Sequence, residues 1–109
     1  MSYQHIALAS GRWHELSFFE QMANIGSEVS RAKEWKEKNK KYFENSVLRA
    51  FELLDLTIQD ARWRMRLKEL TRVREILIDA VLGGKEYNTT LENIDRYFFC
   101  FAVAARVHK

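Results

Sequence analysis

Thr89 to Ala105 reads TTLENIDRYFFCFAVAA, and its second half, Tyr97 to Ala105, is apolar for nine residues in succession. A surface helix in a small bundle needs one apolar stripe, whereas a helix built from this run is apolar around its whole circumference. It has to be covered on several sides. A chain of 109 residues has few other elements to supply that cover, so either this helix is central or a second copy of the protein completes it. The rest of the chain points the same way, to helices alone. Proline is absent, where average usage would give about five in such a length, and the commonest helix breaker is missing with it.

Apolar spacing divides the sequence into four helices, over about 11–38, 40–59, 62–82 and 89–107, with 1–10 as a weakly ordered lead that could dock Ile6 and Leu8. In the first, Phe18, Met22, Ile25, Val29 and Ala32 step by four, three, four and three along one face, and Ser10 is a candidate N-cap. KEWKEKNKK then marks a polar turn near Asn39. The second helix places Phe43, Val47, Ala50, Leu54 and Ile58 on a stripe, with Asn45, Arg49 and Glu52 on its back. Asp60 suits an N-cap or turn before a third stripe of Trp63, Leu67, Leu70, Leu77 and Val81. No proline or glycine lies between Leu56 and Arg64, however, so one bent helix stays open. Gly83 and Gly84 close the third helix, since glycine takes the left-handed conformation that ends one. Thr89 with Glu92 has capping-box spacing before a final stripe of Leu91, Ile94, Phe98, Phe101 and Ala105. Short polar turns favour opposed neighbours, so the expected fold is an all-α, antiparallel four-helix bundle forming a single domain, 1–109.

Composition sets the class. Hydrophobic residues at 47% and charged residues at 30% describe a soluble globular chain, and the net charge of +3 is only mildly basic. MSYQHIALASGRW has no basic segment followed by a sufficient apolar core, so no secretory signal is expected. The longest apolar run is about half of the roughly 20 residues that a membrane-spanning helix requires, and no membrane partner is expected. The one cysteine, Cys100, cannot form an internal disulfide. Inside an apolar run it behaves as a small hydrophobe, which favours a reducing, cytoplasmic compartment.

The stretch GRWHELSFFEQMANIGSEVSRA, with AFELLDLTIQD and RLKELTRVREIL after it, resembles a family of small all-α prokaryotic proteins to which no activity is assigned. That resemblance covers most of the chain and implies no catalytic or binding residue. KNKKYFENSVLRAFELLDLTIQDA also faintly resembles one tetratricopeptide unit, but it lacks that motif's glycine and terminal proline and reads as convergent helical-hairpin chemistry.

No catalytic, metal or phosphate signature rises above background, and no cofactor is expected. Di-iron bundles need Glu-x-x-His pairs on facing helices, and zinc sites need clustered His or Cys; His5, His14 and His108 are scattered and Cys100 is alone. His14 beside Glu15 is a tempting dyad, yet adjacent helix residues point about 100° apart, and surface or helix-start packing is the stronger reading. Gly83-Gly84 ends a helix, whereas phosphate loops precede one. HEPN-type ribonucleases carry an arginine followed four to six residues later by histidine, a spacing that Arg96 and Arg106 do not provide. Between Phe99 and Phe101, Cys100 reads as packing and not as a nucleophile.

Three functional expectations remain. The leading one is a non-enzymatic bundle acting by protein–protein association, a homo-oligomeric adaptor or regulator, whose interface holds Phe99, Cys100, Val103 and Ala104. The alternative is a nucleic-acid-binding accessory protein using Arg64, Lys68 and Arg72 at the start of helix three, beside Trp63, together with the lysines of the first turn. The acids Glu69, Glu75 and Asp79 dilute that field, and Trp63 also fits the core. A third reading places Glu15 and Arg74, charged residues on apolar faces, in a polar pocket of a ligand binder or enzyme, with Arg31, Arg49, Glu28 and Asp95 as possible partners. The ligand it would take is unreadable.

Overall fold

The computed structural model describes residues 11–107 of the chain, so the expected lead 1–10 and His108 lie outside the described residues. Within them are four α-helices and no strand: α1 (Phe18–Trp35), α2 (Lys40–Ile58), α3 (Leu67–Leu82) and α4 (Leu91–Val107). Two short 3-10 turns, Arg12–Glu15 and Ala61–Arg66, precede α1 and α3.

α1 starts seven residues later than the apolar spacing implied, and the expected cap, Ser10, lies outside the described residues. The start is set by Ser17, whose hydroxyl accepts from the Glu20 N–H (3.1 Å) while the Glu20 carboxylate accepts from the Ser17 N–H (2.9 Å). This reciprocal pair satisfies two donors that the first turn otherwise orphans. Upstream, the chain tightens into the 3-10 turn that buries Trp13 completely. At the other end α1 stops at Trp35, and the Asn39 side chain accepts from the Tyr42 N–H (3.0 Å) to begin α2.

Helices two and three are separate. Asp60 caps the turn between them by accepting from the Arg62 N–H (3.1 Å), and the backbone bends at Trp63 (φ −103, ψ 23). Because α3 begins only at Leu67, its buried face is Leu70, Val73, Leu77 and Ala80, while Leu67 stands 42% exposed at the helix edge. Val73 and Ala80 join the expected Leu70 and Leu77 on that face. Gly83 ends α3 with φ 117, a left-handed geometry that costs an L side chain strain. The carboxylate of Asp79 then accepts from the Glu86 and Tyr87 N–H groups (2.8 and 3.0 Å), ordering the loop to α4. Thr90, not Thr89, caps α4 by accepting from the Asn93 N–H (3.2 Å).

The helix packing is consistent with a bundle, and α1 is its central member. It packs most extensively against α2 on one side and α4 on the other, while α3 closes against α2 and more lightly against α4. Met22 and Ile25 are fully buried, and Val29 and Ala32 nearly so. Each large side chain removed from water in this way contributes about 1.5–3 kcal/mol. Gly26 permits the close approach of α1 to α4, since a Cβ there would lie 2.7 Å from the Cβ of Phe98. α2 buries a wider arc than its stripe, with Leu53, Leu56 and Thr57 inside as well. Glu52, expected on the back of α2, is buried too.

Candidate association surface and a buried polar clasp

Of the two ways to accommodate the apolar run, a central position for α4 is not the one adopted. Leu91, Ile94 and Phe98 face the core, with Phe101 partly buried against Phe18 and Phe19. The outer side is left open. Phe99 is 66% exposed, Val103 45% and Val107 71%. Cys100 is exposed as well, its thiol directed at the Arg96 carbonyl of its own helix (3.6 Å), and Ala104 is half-buried. A shallow groove of about 220 Å³ runs beside Phe99, floored by the small residues Ala23, Gly26, Ser27 and Ser30 of α1 and walled by Ala102 and Asp95.

Among the described residues no hydrogen bond or ion pair joins Glu15 to Arg74, expected together in a polar pocket. Glu15 falls in the 3-10 turn ahead of α1 and is exposed, because α1 begins too late to carry it onto a buried face. Arg74 is half-buried on α3 and pairs with Asp55 of α2, a residue outside its expected partners: Nε donates to Oδ1 at 2.7 Å and Nη2 to Oδ2 at 3.4 Å. Its guanidinium also lies 5.2 Å from the Phe51 ring centre. The other candidates are paired elsewhere, Arg31 with Glu28 (2.7 Å) and Asp95 with Lys33 (2.9 Å).

Arg64, Lys68 and Arg72 are all exposed. Among the described residues Arg64 and Lys68 make no ion pair, whereas Arg72 sits 5.2 Å from the ring of Tyr87. Trp63 is not available to stack a base: its indole N–H donates to Gln21 Oε1 (2.8 Å), and Arg62 covers its face at 4.4 Å. The lysines of the first turn lie at the far end of α1 from Trp63 and Arg64. The 3-10 turn 61–66 is tied to Leu16 and Gln21 near the start of α1, and Lys36 to Lys41 follow that helix's end. An α-helix of 18 residues separates them by about 27 Å.

The densest polar cluster escaped the sequence reading. Asp60, 5% exposed, receives His14 Nδ1 (3.1 Å), Gln21 Nε2 (3.1 Å) and Arg62 through both Nε (3.1 Å) and Nη2 (2.7 Å). Arg62 Nη2 also donates to the Leu16 carbonyl (2.8 Å), and Gln21, fully buried, donates to the Trp13 carbonyl (2.9 Å). Trp13 in turn donates its indole N–H to the Thr57 hydroxyl (3.1 Å). The Arg62 guanidinium, chiefly, and then His14 hold the Asp60 carboxyl well below the usual carboxylate range, against the opposing effect of burial. Asp60 raises Arg62 in return. Facing an ionised, acceptor-only carboxylate, His14 Nδ1 must carry the proton. The pair thus has the look of an oriented base, with Asp60 and not Glu15 as the partner. Both Asp60 oxygens already accept from protein donors, so the carboxylate itself holds side chains in place and not a ligand. The cluster is a clasp joining the chain before α1 to the junction of α2 and α3. Its signal in the sequence was Gln21, a polar residue between Phe18 and Ile25 on the apolar face.

Among the described residues no group of three His, Cys, Asp or Glu side chains is placed to hold a metal ion, and no helix is long and apolar enough to cross a membrane. No protein family, curated protein or solved structure matches the chain.

Proposed function

We propose that this protein is a non-enzymatic helical bundle that works by protein–protein association, as an adaptor or regulator, and that the outer face of α4 is its contact surface. The observation that carries this reading is Phe99, a phenylalanine 66% exposed on a helix whose Val103 and Val107 are exposed with it. Contiguous apolar surface of this kind usually marks an interface. In this reading the four helices alternate in direction, an arrangement supported by ties of opposite order along α1 and α4: Lys33 to Asp95, Gly26 against Phe98, and Phe18 against Phe101. Sedimentation at micromolar concentration should give a mass above the 13.0 kDa monomer. Phe99→Asp should return it to the monomer with its helix content intact. A wild-type chain that sediments as a monomer throughout and captures no partner through this face would sink the reading.

A nucleic-acid-binding role for α3 is the second reading, favoured by one observation: Arg64 and Lys68 are exposed cations without an ion pair among the described residues. Replacing Arg64, Lys68 and Arg72 together by glutamine should weaken binding and flatten its salt dependence, because each lost phosphate contact removes counterion release. No binding of duplex DNA or single-stranded RNA by the unmodified protein at low salt ends this reading.

A further inference from the structure

Glu92 and Arg106 stand seven residues on either side of Phe99, and all three are exposed. A heptad on a straight helix drifts by only about 20°, so the three share one stripe. At 1.5 Å per residue it is about 21 Å long, acidic at one end, aromatic in the middle and basic at the other. Such a stripe is complementary to itself when reversed. A second α4 laid against it in the same direction would set Glu92 against Glu92 and Arg106 against Arg106. Laid in the opposite direction about a twofold axis at Phe99, it sets each acid against a base.

We propose that the occupant of the α4 face is a second copy of this chain, with the two α4 helices antiparallel about a twofold axis at Phe99 and Glu92 of each copy paired with Arg106 of the partner subunit. This rests on the association reading and specifies its partner and register. Val103 lies about 40° to one side of the stripe and Ala102 about 60° to the other, at 100° per residue, so toward the helix end the seam is flanked by apolar and small side chains. Toward its start Asp95, held by Lys33, and Arg96 flank it, and reversal sets them opposite Val103 and Ala102 of the second copy. The groove of about 220 Å³ beside Phe99 gives room for a side chain of the second copy. An isologous contact of this kind closes on itself and buries the same patch twice. The charges also suit the dipole of their own helix, acid at its start and base at its end. That effect changes the stability of each monomer. It does not make one charge's effect on dimer affinity depend on the other.

The test is a charge-exchange cycle on the full chain, read as the dimer dissociation constant by analytical ultracentrifugation. Glu92→Arg and Arg106→Glu alone should each weaken the dimer by roughly tenfold or more, since two attractive contacts become two repulsive ones. The double variant should recover to within about threefold of wild type, because single effects fail to add only where the residues interact. Should either reversed charge perturb folding by circular dichroism, Glu92→Gln and Arg106→Gln serve instead, each expected to flatten the salt dependence of dimerisation and together to add nothing further. A double variant no tighter than the singles, or singles with unchanged affinity, overturns the proposal. If Phe99→Asp dissociates the assembly while the charge cycle shows no coupling, the face associates in another register. A wild-type chain that stays monomeric overturns this proposal, and the association reading stands or falls separately on capture of a different partner.

Discussion

Asp60 carries more of the structure than any other polar residue described. Its folded carboxyl titrates well below its unfolded one, near pH 3.9. Above that value the group is ionised in both states and its full contribution to stability is present. As pH falls the unfolded chain takes up the proton first, so stability is lost progressively from about pH 4 downwards toward the folded pKa. Asp60→Asn should therefore cost about 1.5–3 kcal/mol at neutral pH, the scale of hydrogen bonds to a charged group, and less of it in acid. Urea unfolding at pH 7 and pH 3 checks both the cost and its shrinkage. Arg74 contrasts with it. Both Arg74 and Asp55 keep more than a third of their side chains in water, at 37% and 40%. Solvent screens such a pair, so Arg74→Met should destabilise by no more than about 1 kcal/mol, with a smaller effect in high salt. A loss of 3 kcal/mol in urea titration would show a desolvated pair.

At the scale of elements, the α1–α4 contact turns on a missing side chain. Gly26→Ala gains about 1 kcal/mol in helix propensity, but its Cβ would meet Phe98 at 2.7 Å and force the helices apart, an overpacking cost of about 1–3 kcal/mol. The net effect should be a loss of stability, visible as a lower Tm; an unchanged or raised Tm would show that α4 shifts freely. What periodicity could reveal here is which residues of a helix face inward. The stripe of α4 and that of α1 from Phe18 onward follow from the 3.6-residue turn alone. Helix starts were less legible, because a cap is a local hydrogen bond and not a pattern. Ser10 and Ser17 both offer a capping hydroxyl, and only Ser17 has a glutamate three residues on, Glu20. The register of α3 slipped for the same reason, since its true start at Leu67 lies beyond the bent 3-10 turn. Chemistry was harder still. The clasp joins His14, Gln21, Asp60 and Arg62, which are scattered over 49 positions, and no spacing rule connects them. Glu15, by contrast, lies on an apolar face only if the first helix extends back to Gly11, and the helix begins at Phe18.

For the molecule as a whole, the first of the four described helices is the one in the middle. α1 needs α2 on one flank and α4 on the other, and the glycine that receives α4 is separated from Phe98 by 72 positions. During synthesis at about 5–20 residues per second, α1 and α2 can pair early and the Asp60 clasp can close once Arg62 has emerged. The side of α1 that carries Phe19 and Gly26 must wait for α4. For those seconds the growing chain shows water an apolar trough shaped for α4, and a neighbouring chain's α4 fits it as well as its own. Exchange of that helix between chains is the misassembly to which this order of synthesis is most open, and wide spacing of growing chains with prompt completion of α4 is the condition that suppresses it.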